Sequence, residues 1–223
     1  MRQRQCDAII LFPGELPDAA LTALLREQAN VVVIHRSVVG FEDRCVQVDN
    51  ATGARLAARH LIDCGHRDIG VISGPATNPE SVQRLAAFAD TLAGAGVPLD
   101  PALVFAGDFR LASGRQGMAK LLAGGRPLSA VFCLSDQMAF GALDYCRSVG
   151  VAVPERLSLL GFDDVEFAEL MHPRLTTVRQ PITLLARTAV EIALRLSRSG
   201  APSGPQALLT PQLMLRDSVR RLA

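Results

Sequence analysis

The sequence predicts an α/β protein built on parallel β-sheet. Three observations carry that prediction. Short, wholly apolar runs recur along the chain, helix-length amphipathic segments separate them, and turns rich in Gly, Pro or Ser end them. Such runs mark strands buried on both faces, and the helices between them mark βαβ crossovers.

The elements follow in order. Ala8 to Phe12 (AIILF) is a short apolar run ended by Pro13-Gly14, and reads as a strand buried on both faces. An amphipathic helix over 18–29 opens at Asp18 after Pro17, and Val31 to Ile34 (VVVI) is a second buried strand. Cys45 to Val48 is a short third strand. Thr52 to Cys64 is a helix with Leu56, Ala57, His60 and Leu61 on one face, stopped by Gly65. Ile69 to Ile72 is a strand running into Ser73-Gly74-Pro75, and 79–95 is the next helix. Strands at Leu103 to Phe105 and Ala130 to Cys133 flank a helix at 111–123, and a further helix covers 136–149. Leu157 to Gly161 is the last parallel strand. A long helix over 183–198 passes into a Gly/Ser/Pro linker at 199–205, and a strand-like piece from Gln212 to Arg216 closes the chain.

Composition narrows the function. At 223 residues, 49% hydrophobic and 20% charged, the chain has ample material for buried cores. Its 23 basic and 22 acidic residues give a formal charge of +1, which leaves no electrostatic footprint for nucleic acid or an anionic membrane. No apolar stretch reaches the length of a membrane span, and residues 1–10 do not resemble a signal peptide. The five cysteines (Cys6, Cys45, Cys64, Cys133, Cys146) form no CxxC pair and read as free thiols of a reducing cytoplasm. The histidines (His35, His60, His66, His172) are too scattered for a zinc site, and neither metal nor cofactor is expected.

The run Leu157-Ser158-Leu159-Leu160-Gly161-Phe162-Asp163-Asp164 carries the candidate chemistry. A buried strand ends in Gly-Phe and delivers two carboxylates into a loop, and open parallel sheets bind ligands beyond the carboxyl ends of their strands. The acids can contact a polyhydroxylated or amine-bearing molecule, or cap the short helix that follows. Thr176-Thr177-Val178 is extended and Pro181 stops it, so this stretch can carry the chain between two lobes. A hinged clamp of two lobes fits the pattern, as does one doubly wound domain.

Several segments resemble a known family. They are Cys6 to Pro13, Val48-Asp49-Asn50 through Ala57, His60 to Gly70, Arg84 to Phe88, and Gly107-Asp108-Phe109 with Ser113-Gly114. Ala130 to Cys133 with Ser135-Asp136-Gln137-Met138-Ala139 and the Gly161 to Asp164 motif complete the set. Together they are similar, over about residues 6 to 219, to the effector-binding core of the lactose-repressor/galactose-repressor family of bacterial transcription regulators. The resemblance implies a fold like the periplasmic sugar-binding proteins: two doubly wound parallel-sheet lobes joined by three crossover strands. The expected lobes are 1–48 plus 178–200, and 49–177 plus 205–219. It also implies a homodimer in the cytoplasm, with a small-molecule effector in the cleft between the lobes. DNA would be reached only through a headpiece absent from this chain, and the N-terminal lobe is expected to be incomplete, with an exposed sheet edge.

The resemblance also assigns candidate ligand contacts. Asp163 matches the family's cleft aspartate, an acceptor for hydroxyls or amines, and Arg84 its cleft arginine. Ser135 stands where many members have Asn, and Asp136 beside it is expected to cap the following helix. His35 replaces an acid, and with Arg36 and Arg84 it suggests an anionic effector such as a sugar acid or phosphosugar. Phe109 is the candidate stacking platform for a sugar ring, and Gln180 a polar contact on a crossover. Asp49 and Asn50 are expected to fasten the crossover turn. Two other classes compete. A periplasmic receptor of the same fold would share the site. An enzyme would need more than Asp163, Asp164 and His172, because the chain has no GxSxG elbow and no Walker motif, and Gly94-Ala95-Gly96 is a turn. A binder without catalysis is expected.

Overall fold

The computed structural model describes residues 6–14, 16–199 and 207–222. The chain forms two compact units, Met1–Asp49 with Pro181–Thr210 and Asn50–Gln180 with Pro211–Ala223. It therefore passes between them three times.

The first unit opens with β1 (Ile9–Leu11), α1 (Asp18–Glu27), β2 (Val31–Ile34) and β3 (Cys45–Val48). The second follows with α2 (Asn50–Asp63), β4 (Ile69–Ser73), α3 (Pro79–Gly94), β5 (Val104–Ala106) and α4 (Leu111–Ala123). It continues through β6 (Ala130–Cys133), α5 (Asp136–Ser148), β7 (Ser158–Asp163), α6 (Phe167–Leu170) and β8 (Thr176–Arg179). The chain then returns to the first unit with α7 (Ile182–Ser199) and β9 (Ala207–Leu209), and ends in the second with β10 (Gln212–Met214). The linker expected at 199–205 lies, from residue 200 on, outside the described residues.

The first unit's sheet runs β1-β2-β3-β9, all parallel. Alternation along β2 explains its two layers. Val31 and Val33 join Leu21 and Leu25 of α1, while Val32 joins Leu185, Ala189 and Leu196 of α7. The run VVVI is thus buried on both faces. AIILF is not: Ile9 and Ile10 are exposed and Phe12 is 60% exposed. The reason is position in the sheet. Among the described residues β1 pairs with β2 alone, so it is an edge strand, and apolar composition does not distinguish an edge from a centre. On α7, Ile182, Leu184, Val190 and Leu194 are likewise exposed.

The second unit's sheet runs β10-β8-β7-β6-β4-β5, parallel except for β10 against β8. One core fills it, with Phe88 of α3 stacked on Phe132 of β6 at 4.6 Å between ring centroids. Two helices approach unusually closely: a Cβ on Gly141 of α5 would sit 1.9 Å from the Leu111 carbonyl oxygen of α4. The C-terminal tail is stitched down the sheet. Ser218 Oγ donates to the Leu159 carbonyl at 2.5 Å, and buried His66 bridges Ser129 Oγ and the Arg220 carbonyl. No helix among the described residues is long and apolar enough to cross a membrane. Cys45, Cys64, Cys133 and Cys146 are free and buried, and Cys6 is free and exposed.

Candidate functional site

The carboxyl end of β7 delivers Asp163 and Asp164 in positive-φ conformations, at 124° and 58°. Residues other than Gly adopt these only where surrounding contacts impose them. Here those contacts are strong. Asp164 accepts from Arg179 Nε at 2.5 Å and pairs with the Arg216 guanidinium at 2.6 Å. The Val165 N–H donates to Asp136 Oδ2 at 3.0 Å, and the Gln180 N–H to the Asp163 carbonyl at 3.2 Å. The loop is therefore tied to β8, to the C-terminal segment and to the start of α5.

Asp163 meets a buried arginine. Arg84, one turn into α3, donates from Nε to Asn50 Oδ1 at 2.7 Å and from one terminal nitrogen to the Leu134 carbonyl at 2.8 Å. That same nitrogen lies 3.6 Å from Asp163 Oδ1, and the other lies 3.7 Å from Glu80, one helical turn back. The guanidinium also lies over the Phe162 ring, 3.8 Å from its centroid. Gln180 Nε2 donates to Asp163 Oδ1 at 2.6 Å, and its buried Oε1 has no hydrogen-bond partner among the described residues.

Burial dominates the electrostatics of the cluster. It pulls the Arg84 guanidinium down, against the pull of Asp163, Glu80 and Asp136. It pushes the Asp163 carboxyl up, against Arg84 and the Gln180 hydrogen bond. Asp136, wholly buried, is pushed up to about 7 by desolvation, opposed by hydrogen bonds from Thr177 and Val165. The Asp163 side chain keeps 26% of its surface open. The arrangement can accept hydroxyl or amine protons at Asp163 and at Gln180 Oε1, beside a fixed cation.

The expected site residues fare differently. Arg84, Asp163 and Gln180 come together. Ser135 sits beside them, next to the Leu134 carbonyl that Arg84 uses, and its hydroxyl accepts the Met138 N–H as the cap of α5. The cap is thus Ser135 and not Asp136, because extended Ser135 (φ −152°, ψ 155°) is the last residue outside the helix. Asp136 instead turns inward to Thr177 and Val165. Phe109 (φ 66°) is half-buried at the carboxyl end of β4, its ring so close to Gly74 that a Cβ there would meet it at 2.2 Å. His35 and Arg36 belong to the first unit. The His35 ring stands edge-on to Phe12 at 5.3 Å. Arg36 donates to the Leu16 carbonyl and pairs with Asp18, both at 2.5 Å, so its charge is engaged at the start of α1. Asn50, expected to fasten a turn, is the partner of Arg84. Glu80 and Phe162 were not foreseen as part of the cluster, although the Glu80–Arg84 spacing of four residues was a readable signal. Ser135→Ala should cost about 1 kcal/mol of stability through the lost cap. A shift in urea midpoint measures it, and an unchanged midpoint would refute the capping role.

Comparison with known proteins gives this geometry a family. A periplasmic-binding-protein-like domain matches residues 58–219. The chain belongs to that family. Among curated relatives it is similar to the HTH-type transcriptional regulator GalR of Escherichia coli (strain K12), 38% identical over 217 residues. That match covers 97% of this chain and 63% of GalR, so the chain spans under two thirds of that relative's length. Among solved structures it is similar to a sugar-binding transcriptional regulator of the LacI family from Escherichia coli complexed with phosphate. There the identity is 30% and the TM-score 0.89, over 98% of this chain and 78% of the other. A LacI family transcriptional regulator from Enterococcus faecium with bound ribose matches at 28% identity and a TM-score of 0.87, over 99% and 82%. The likeness to these periplasmic-binding-protein-like cores includes the parallel-sheet units described above.

Proposed function

We propose that this chain is the effector-sensing part of a bacterial transcription regulator, and that its effector is a small, uncharged, sugar-like molecule held against Arg84 and Asp163. The observation that carries the reading is the buried Arg84–Asp163 pair at the carboxyl ends of parallel strands, with Asp163 still partly open. A vicinal hydroxyl pair suits one carboxylate, and the buried Gln180 Oε1 supplies a second acceptor. Binding, not catalysis, is the role these groups support. The likeness to GalR and to LacI-family structures supports the regulatory context. In the intact protein, control of DNA would pass to a DNA-reading segment, and the working form would be a cytoplasmic homodimer.

The pairing of the cations supports an uncharged effector. An anionic effector was expected from His35, Arg36 and Arg84. Arg36 is neutralised by Asp18, and Arg84 already faces Asp163 and Glu80. Another anion would add to a site with no surplus positive charge. Calorimetry with neutral monosaccharides, the corresponding sugar acids and the sugar phosphates tests this. Neutral sugars should bind at least tenfold more tightly than either anionic form, a difference of about 1.4 kcal/mol. Tighter binding of a sugar phosphate would overturn the charge assignment, and no binding across the panel would overturn the sugar assignment.

A further inference from the structure

We propose that Asp136 is a positioning residue for this site: its buried carboxylate, spanning the Val165 N–H and the Thr177 hydroxyl, fixes the loop that holds Asp163, and effector affinity follows the integrity of that bridge. The inference rests on the effector site proposed above and extends it to a residue that touches no ligand.

The geometry singles Asp136 out. It is the first residue of α5 and wholly buried. Oδ1 accepts from Thr177 Oγ1 at 2.5 Å on β8, and Oδ2 accepts from the Val165 N–H at 3.0 Å, just past Asp163 and Asp164. One carboxylate thus joins α5, the loop after β7, and β8. The strand makes room for it: a Cβ on Gly161 would sit 2.3 Å from Asp136 Oδ1, so only glycine fits there. Without the bridge, Asp163 and Asp164 lose one of the contacts that impose their positive φ.

The surroundings make the bridge responsive to pH. Asp163 and Asp164 face Asp136 from β7 and its loop, Arg84 from α3, and the Cys133 thiol from β6, while Thr177 on β8 is uncharged. Burial, with the nearby acids, outweighs the hydrogen bonds, and the carboxyl titrates at about 7. The ionised form accepts both hydrogen bonds at full strength, and the protonated form holds them more weakly. Stability runs the other way. The folded-state value lies above the ordinary 3.8, so the folded chain holds a proton that the unfolded chain has lost, and stability falls as pH rises from about 4 through 7. Raising the pH should therefore order the site while weakening the fold.

Asp136→Asn separates these effects. Its amide can accept from the Val165 N–H and donate to Thr177 Oγ1, which keeps the bridge and removes the titration. The test measures hydrogen-exchange protection of the Val165 amide, corrected for intrinsic exchange, at pH 6 and pH 8. The wild-type chain, Asp136→Asn and Thr177→Val are compared, with D-ribose and D-glucose as calorimetric probes. In the wild type, protection and sugar affinity should each fall about fivefold from pH 8 to pH 6, as expected when an ionised acceptor becomes neutral. Asp136→Asn should hold Val165 protection flat and show a higher Tm than the wild type at pH 8. Thr177→Val should lower protection at both pH values. A pH profile of Val165 protection in Asp136→Asn that parallels the wild type, or Val165 protection unmoved by Thr177→Val, would overturn the proposal. If neither sugar binds, the effector reading falls, and the Val165 measurements alone decide the role of Asp136.

Discussion

Arg84→Ala is expected to abolish sugar binding and to remove on the order of 3–5 kcal/mol of stability, the range for stripping one partner from a buried ion pair. The change removes more than a charge. It removes the hydrogen bonds that Arg84 donates to the Asn50 amide oxygen and the Leu134 carbonyl, and uncovers the face of Phe162. It also removes the guanidinium that faces both Asp163 and Glu80. The loss should depend on pH. Without Arg84, the Asp163 carboxyl rises further above its unfolded value. The folded variant then keeps a proton that the unfolded chain gives up, and each step upward in pH weakens it further. Urea unfolding at pH 5.5 and pH 8 should show the larger deficit at pH 8. A deficit below about 1 kcal/mol, typical of an exposed pair, or one equal at both pH values, would refute the buried-pair account. Arg84→Lys should recover part of the stability and little of the binding, since an ammonium cannot span Asn50, Leu134 and Asp163 together.

Gly141→Ala should be as damaging, for a steric reason. The added Cβ would fall 1.9 Å from the Leu111 carbonyl oxygen, and the reciprocal change, Gly114→Ala, would place one 2.0 Å from the Met138 carbonyl oxygen. Both obstacles are backbone, so no rotamer change relieves them, and α4 and α5 must move apart. Overpacking of this kind costs about 3 kcal/mol, and the alanine's better helix propensity returns at most about 1 kcal/mol of that. Gly150→Ala in the same unit is the control, with positive φ (73°) and nothing within 4 Å of the added carbon. It should cost only about 1 kcal/mol. Guanidinium midpoints compare the three directly, and equal losses at Gly141 and Gly150 would show that the helices have room to spare.

The legibility of the fold varied with the kind of force that sets each part. VVVI, AVFC and LSLLGF were readable as strands because burial on both faces leaves an unmistakable apolar run, and the helices between them fell within a few residues of their observed ends. β9 was not foreseen, because Ala207–Leu209 is three residues long and its pairing with β3 is decided across the whole chain. AIILF has the composition of a strand buried on both faces yet lies exposed at an edge, because edge position is a property of the sheet, not of the strand. The site divides in the same way. Motifs single out Asp163, Arg84 and Gln180 as candidates, but the contacts of Arg84 with Asn50 and the Leu134 carbonyl join separate segments, and only tertiary packing brings them together. The choice of Ser135 over Asp136 as cap turned on one residue's backbone angles, since both types cap helices well. The ion pair of Arg36 with Asp18 is not legible locally, because nothing in the sequence predicts that a residue after β2 reaches back to the start of α1.

The three passages of the chain impose an order of assembly during synthesis. All of the second unit's parallel strands, from β4 to β8, lie in the continuous stretch Asn50–Gln180, which leaves the ribosome in one piece. The first unit has no such privilege. Its β3 must wait for Leu208 and its neighbours, and the α7 face of its sheet stays bare until residues 182–199 emerge. Loop closure over that distance is slow, and a half-built parallel sheet is open to mispairing in the interval. Strands β1 to β3 are thus made before the second unit but completed after it, with the already folded second unit as part of the loop that must close.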